Sequence, residues 1–198
     1  DSYNVPFEKS WRDTVLLLGA PSLRGPREAK VREVLSPIED AMGGKVEVDR
    51  NGRFFLRANG GQMEAALVAE GLRKFAMLAR LISTGVLLEH GYLFWDEPET
   101  NLNPKLIKVL AQVIVSLAGQ GIQIFLATHS IFLIREIAIL TDGSETQAES
   151  RYFSLAASGD EEVSKLEQGD KIDDLTTLVL LDEELLQSNR YMESARNG

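Results

Sequence analysis

Two apolar runs of strand length flank one well-marked helix, and this arrangement limits the fold more than any other feature of the chain. Residues 92–95 (YLFW) and 122–127 (IQIFLA) are apolar on both faces, the pattern of strands covered by helices on both sides of a parallel sheet. Between them Asn103 is a suitable N-cap, Pro104 suits the first helical position, and Gly119 or Gly121 supplies the stop. Strand, helix, strand is the unit of a parallel sheet, because parallel neighbours need a crossover connection. The two strands therefore point the same way. Glu97 and His129, just past their ends, should emerge on the same edge of an α/β sheet, where ligands of open α/β folds bind.

The first strand runs directly into charge: residues 91–104 read GYLFWDEPETNLNP. Pro98 removes a ladder donor and ends the strand. Asp96 and Glu97 are adjacent carboxylates, and two like charges raise each other's proton affinity unless a cation or water separates them. A divalent ion held by one or two carboxylates, with water and substrate phosphates as its other ligands, gives the pair a purpose. Asp96 is then the ion ligand and Glu97 the group that orients a water. The plainer reading is a solvated acidic turn. The second strand ends in Thr128, His129 and Ser130, so His129 shares its sheet edge with the carboxylates. His90, the only other histidine, precedes the first strand at the opposite edge and reads as surface or packing.

DEPETNLNP resembles the Walker B motif and D-loop of the ABC-type ATPases, and ATHS at residues 127–130 resembles their switch histidine. Within that superfamily both are similar to the soluble ATPases grouped with the OLD nucleases, RecF and the SMC-like repair proteins. Transporter subunits more often read DEPTSALD. Glu99 in place of their Thr, and the Asn-Leu-Asn-Pro after it, favour the soluble group. The resemblance also implies a signature loop opening a helix, and VAEGLRKFAMLARLI at residues 68–82 is the candidate. Gly71 permits close backbone approach, and the helix start offers N–H groups to a phosphate. Ala69 stands where the family usually carries serine, which removes a hydroxyl donor. Phosphate contact would then rest on backbone groups around Ala69, Glu70 and Gly71, with Arg73 or Lys74. Read without the resemblance, the stretch is an amphipathic helix with Leu72, Phe75, Ala76, Ala79 and Ile82 on its apolar stripe.

A phosphate-binding Walker A loop, G-x-x-x-x-G-K-[ST], is absent from the 198 residues. Gly43, Gly44 and Lys45 come nearest, but Val46 replaces the Ser or Thr and no glycine lies at the required distance upstream. Gly43 suits the end of a helix over residues 26–42 instead. GAPSLRGP at residues 19–26 has glycines and no lysine. Because the family's phosphate loop precedes the signature, the chain is expected to be the C-terminal part of a larger ATPase. The strand at residues 122–127 would then present an open apolar edge until another chain or a second copy pairs with it.

The remainder is expected to divide into an α+β arm at residues 1–66, an ATPase core at 67–155 and an acidic helical tail at 156–198. The arm reads as a short strand at residues 13–18, a helix at 26–42 and a hairpin at 45–57 turning at Asn51-Gly52. Ser130 can cap a helix over residues 131–140, and residues 151–155 read as a closing strand. The tail could serve as a lid or an interface, and reads foremost as a packed helix. With 44% hydrophobic and 26% charged residues the chain can bury one substantial core. It has no cysteine, hence no disulfide or thiolate metal site. Its formal charge of −9 leaves no overall electrostatic footprint for nucleic acid. No apolar run reaches transmembrane length, and no signal peptide is recognisable.

The resemblance implies a P-loop NTPase of the ABC type that uses ATP and Mg²⁺ in a sandwich dimer. Asp96 would hold the ion, Glu97 would act as general base, and His129 would sense the γ-phosphate. Asn101 and Asn103 of the D-loop, with residues 69–71, would serve the ATP of the opposite subunit. Expected partners are the Walker A lobe, a second copy and a DNA or effector-nuclease partner, with no membrane, in the cytoplasm. A transporter subunit and a non-catalytic scaffold fragment are the alternatives.

Overall fold

The computed structural model describes residues 9–23, 28–49, 53–58, 60–64, 70–87, 91–142, 148–157, 164–176 and 178–196. The arm begins with helix α1 (Lys9–Gly19) and α2 (Glu28–Met42), then strands β1 (Lys45–Val48), β2 (Phe54–Ala58) and β3 (Gly61–Glu64). Helix α3 (Glu70–Ser83) leads into β4 (Tyr92–Asp96), α4 (Pro104–Gly119), β5 (Gln123–Ala127) and α5 (Ile131–Thr141). A hairpin of β6 (Tyr152–Ala157) and β7 (Ser164–Gly169), a short 3-10 turn (Ile172–Asp174) and α6 (Val179–Arg196) follow.

The strand–helix–strand unit forms as its residues dictate. β4 and β5 pair in parallel, in register from Tyr92 opposite Gln123 to Asp96 opposite Ala127. Asn103 caps α4, accepting the Leu106 N–H on Oδ1 at 3.1 Å, and Pro104 takes the first helical position. Ser130 caps α5 in the same way, accepting the Leu133 N–H at 3.2 Å. Gly43, at φ 67°, ends α2 in a left-handed turn in which the Gly44 N–H reaches the Glu39 carbonyl at 3.0 Å and the Gly43 N–H reaches that of Asp40 at 3.1 Å. These are the two bonds of a Schellman stop.

The core lies between α2, α3 and α4 and one face of the parallel pair. Val34, Ile38, Phe75, Leu78, Ile82, Leu110, Val113 and Leu117 are buried in it, and Leu93, Trp95, Ile124 and Leu126 pack against it from the sheet. The opposite face of the sheet corrects the expectation of cover on both sides. Tyr92 (62%), Phe94 (74%) and Phe125 (42%) stand exposed, and Phe94 stacks on Phe125 with ring centroids 4.6 Å apart. The two-faced apolar pattern is real, but among the described residues helices cover only one face.

Three further expectations are corrected. Residues 13–18 are helical within α1. An apolar run such as TVLLL does not distinguish a strand from a helix, and Arg80 decides the matter from outside by capping the helix end. Its guanidinium is buried and donates to the carbonyls of Leu18 (3.1 Å) and Ala20 (2.8 Å) and to Ser22 Oγ (3.1 Å). Burial holds its pKa below the ordinary guanidinium value. The strand expected at residues 151–155 does not close the parallel sheet; β6 pairs antiparallel with β7 in a sheet of its own. The tail helix α6 is largely exposed along its described side chains rather than packed, and Arg135 of α5 reaches Glu184 on it at 3.0 Å. The arm hairpin forms with Lys45 opposite Arg57 and gains β3 as an additional strand. Its Asn51-Gly52 turn lies outside the described residues.

Candidate functional site

Just past the parallel strands the chain makes two turns that face each other. Asp96 is the last residue of β4, exposed at the carboxyl edge. Its neighbour Glu97 donates its N–H to the Ala127 carbonyl at 2.8 Å, adding one bond beyond the ladder. Glu97 then adopts φ 43°, in the left-handed region. For an ordinary L-residue this conformation costs about 1–2 kcal/mol. The surroundings oppose that cost at one atom: the Glu97 carbonyl accepts from Lys74 Nζ at 2.7 Å, the Thr100 hydroxyl at 3.0 Å and the Thr100 N–H at 3.2 Å.

The turn brings the carboxylate of Glu97 to His129. Its Oε1 lies 3.1 Å from His129 Nδ1, and its Oε2 accepts from the Thr100 hydroxyl at 3.2 Å. Both side chains are open to solvent, so the pair contributes little to stability. It is accessible to a ligand approaching the sheet edge. Asp96 lies beside this pair in sequence and ends the same strand. One exposed carboxylate suits Mg²⁺, which keeps several waters and binds through one or two carboxylates and phosphate oxygens. Among the described residues no group of three or more His, Cys, Asp or Glu could hold a metal by protein alone.

The residues expected to serve the opposite subunit gather elsewhere. Gly71, Leu72, Asn101, Asn103, Lys105 and Leu106 line an open cleft of about 550 Å³ between the start of α3, α4 and α2. Glu70 is the exposed first residue of α3; Ala69 lies outside the described residues. Gly71 is buried for a packing reason. A Cβ there would collide with the Asn101 carbonyl oxygen and lie 2.8 Å from Leu102 Cδ2. Asn101 sits at φ 65°, a conformation asparagine tolerates. Asn103 spends its side-chain oxygen on capping α4. The structure thus separates the expected set into an edge with Asp96, Glu97 and His129 and a cleft with Gly71, Asn101 and Asn103.

Sequence reasoning missed the groups that hold the edge in shape. Glu99 is buried at 6% exposure and accepts from the Thr128 hydroxyl. Lys74, expected to meet phosphate, is instead on the Glu97 carbonyl, and Thr100 was unremarked. The signal for Glu99 was available as a third acidic residue directly after a proline, but nothing in the spacing says that it is buried.

A family model described as "AAA domain, putative AbiEii toxin, Type IV TA system" matches residues 2–135, from the arm into α5. The chain belongs to that AAA-domain family. The match takes in both parallel strands, the carboxylate run and His129. This AAA domain is also 37% identical over 67 residues to a protein named "Putative ABC transporter ATP-binding protein" of Listeria monocytogenes serotype 4b (strain F2365). The matched stretch is 32% of the chain and 25% of that relative, so the chain spans about a quarter of the length of the curated protein it matches.

Among solved structures, it is similar to a chain from work on ATP-driven dimerization and DNA-stimulated activation of SMC ATPases, with TM-score 0.54 and 11% identity over 91% of this chain and 96% of that one. An Smc head bound to the C-terminal winged-helix domain of ScpA gives TM-score 0.52 at 11% identity, over 80% of this chain and 44% of that one. A Pyrococcus furiosus Smc head domain bound to the C-terminal domain of ScpA gives 0.50 at 13% identity, over 82% and 37%. At such identities the likeness concerns fold. This AAA domain has the α/β fold of the ABC- and SMC-like P-loop ATPases. No helix among its described residues is long and apolar enough to cross a membrane.

Proposed function

We propose that this AAA domain supplies the hydrolytic half of a composite ATP site, working in a dimer that closes over nucleotide. The observation that carries the reading is the 3.1 Å contact of Glu97 with His129 at the shared carboxyl edge of two parallel strands. Glu97 is the general base or water-positioning group for in-line attack on the γ-phosphate, and the attacking water gives its proton to the carboxylate. His129 donates a hydrogen bond to the γ-phosphate and registers its departure. Asp96 would hold Mg²⁺, largely through water; bound there, the ion neutralises charge on the phosphates. The cleft at Gly71, Asn101 and Asn103 meets the nucleotide of the second subunit.

The exposed face of Tyr92, Phe94 and Phe125 is where the lobe carrying a phosphate-binding loop would pack. The cycle then drives a process related to DNA or to defence, in the cytoplasm. The family description, which names a toxin, and the SMC relative named for DNA-stimulated activation support that direction. The test is Glu97→Gln in the protein assembled with its phosphate-loop lobe. ATP binding is retained and turnover falls by about 10²–10⁴. Undiminished turnover would remove Glu97 from the role.

A second reading, the nucleotide-binding subunit of a transporter, is favoured by the name of the Listeria relative. DEPE, ATHS and a signature-like stretch far from LSGGQ oppose it. Co-purification with a membrane partner would decide for it. If the assembled protein neither binds nor hydrolyses ATP, the non-catalytic scaffold reading takes its place.

A further inference from the structure

We propose that Glu99 and Thr128 form a polar strap that holds Glu97 and His129 at their working separation, which makes Glu99 a positioning residue of the site. The strap joins the two turns from beneath. Thr128 Oγ1 donates to Glu99 Oε1 at 2.5 Å and accepts the Ser130 N–H at 3.0 Å. Its hydroxyl is therefore fixed as donor to one side and acceptor to the other, and it ties Glu99 to the residue that caps α5. On the other side the Glu99 carbonyl accepts the Leu102 N–H at 2.9 Å, which anchors the same turn to the approach of α4.

Glu99 follows Glu97 by two residues with buried Pro98 between them, and Thr128 immediately precedes His129. Movement at the strap therefore moves both functional side chains. Glu97 and His129 are exposed and could not hold each other in place, whereas Glu99 is buried. A carboxylate is an expensive group to bury, and here its second oxygen, Oε2, has no hydrogen-bond partner among the described residues. A hydrophobic residue would fill the space at lower cost. What Glu99 adds is a directed bond across the two strand ends, and geometry of that kind governs rate: a misplacement of about 1 Å can cost about 10²-fold.

The proposal rests on the hydrolytic reading above, so its test has one arm independent of turnover. In the 198-residue chain the His129 imidazole is one of two histidine signals in a long-range ¹H–¹⁵N correlation spectrum, assigned by loss in His129→Ala. Thr128→Val and Glu99→Ala are expected to shift the His129 Nδ1 resonance, which reports its bond to Glu97. Thr128→Ser and Glu99→Gln, which keep a donor and an acceptor in place, restore it.

In the assembled protein the two disruptive variants lower kcat by about 10²-fold with KM for ATP unchanged. The double variant is no worse than either alone, because both break one link. A thermal melt of each variant separates this from unfolding, and Thr128→Ser is the folded comparison if Thr128→Val fails to fold. An unmoved His129 signal, or wild-type kcat in Thr128→Val and Glu99→Ala, overturns the strap. If the His129 signal moves while the assembled wild-type protein hydrolyses no ATP, the strap stands and the hydrolytic reading falls.

Discussion

Gly71→Ala asks why a glycine opens α3. The added Cβ would lie 2.8 Å from Leu102 Cδ2 and closer still to the Asn101 carbonyl oxygen. The leucine side chain can turn aside. The carbonyl cannot, since it belongs to the backbone of Asn101 in its left-handed conformation, three residues before α4 begins. Overpacking of this kind costs about 1–3 kcal/mol. Alanine recovers at most about 1 kcal/mol of helix propensity, and less in a first turn. A clash with backbone belongs to the upper half of that range, so the net loss is about 1–2 kcal/mol, and at about 2–4 °C per kcal/mol for a chain of this size Tm falls by about 2–8 °C. Gly119→Ala is the matched control: it lies at the end of α4 with nothing within 4 Å of an added Cβ. Thermal melts by circular dichroism without nucleotide compare the two. Gly71→Ala melting together with Gly119→Ala would refute the packing role and leave phosphate approach as the sole reason for the glycine.

Arg80→Met leaves the Leu18 and Ala20 carbonyls without their shared donor and should destabilise by about 1–3 kcal/mol for each buried group left unpaired; limited proteolysis is expected to cut α1 first, and intact α1 would contradict this. Arg80→Lys keeps the charge but loses the fork, so it rescues only in part. Asn103→Ala removes the cap of α4 and costs about 1 kcal/mol, read as a lower urea midpoint at unchanged slope. Phe94→Ser with Phe125→Ser removes a stacked pair worth about 0.5–1.5 kcal/mol, so the chain stays folded while association with the proposed phosphate-loop lobe is lost; unimpaired association in a pull-down would show that the face is not covered there.

The parallel unit was legible because its signals are local and redundant. Pro98, Asn103, Pro104, Gly121 and Ser130 mark where each element begins or ends, and an apolar strand bounded so tightly has few alternatives. The placement of Asp96, Glu97 and His129 on one edge follows from topology alone. Residues 13–18 were misread because the five-residue run TVLLL at 14–18 carries no usable period, and the deciding contact comes from Arg80, some sixty residues away. The exposed Phe94 and Phe125 were expected to be covered because a sequence records that a face is apolar without recording what lies against it. Glu99 was read only as a mark of the soluble group, and its structural role was missed for a related reason: its burial depends on how two turns meet, and neither turn contains that information.

The central claim is that Glu97 is the base of an ATP-hydrolysing edge, and the most direct measurement is ATP binding and turnover compared between wild type and Glu97→Gln in the assembled protein. Unchanged nucleotide affinity with turnover reduced by about 10²–10⁴ is the predicted result. Wild-type turnover in Glu97→Gln would contradict it.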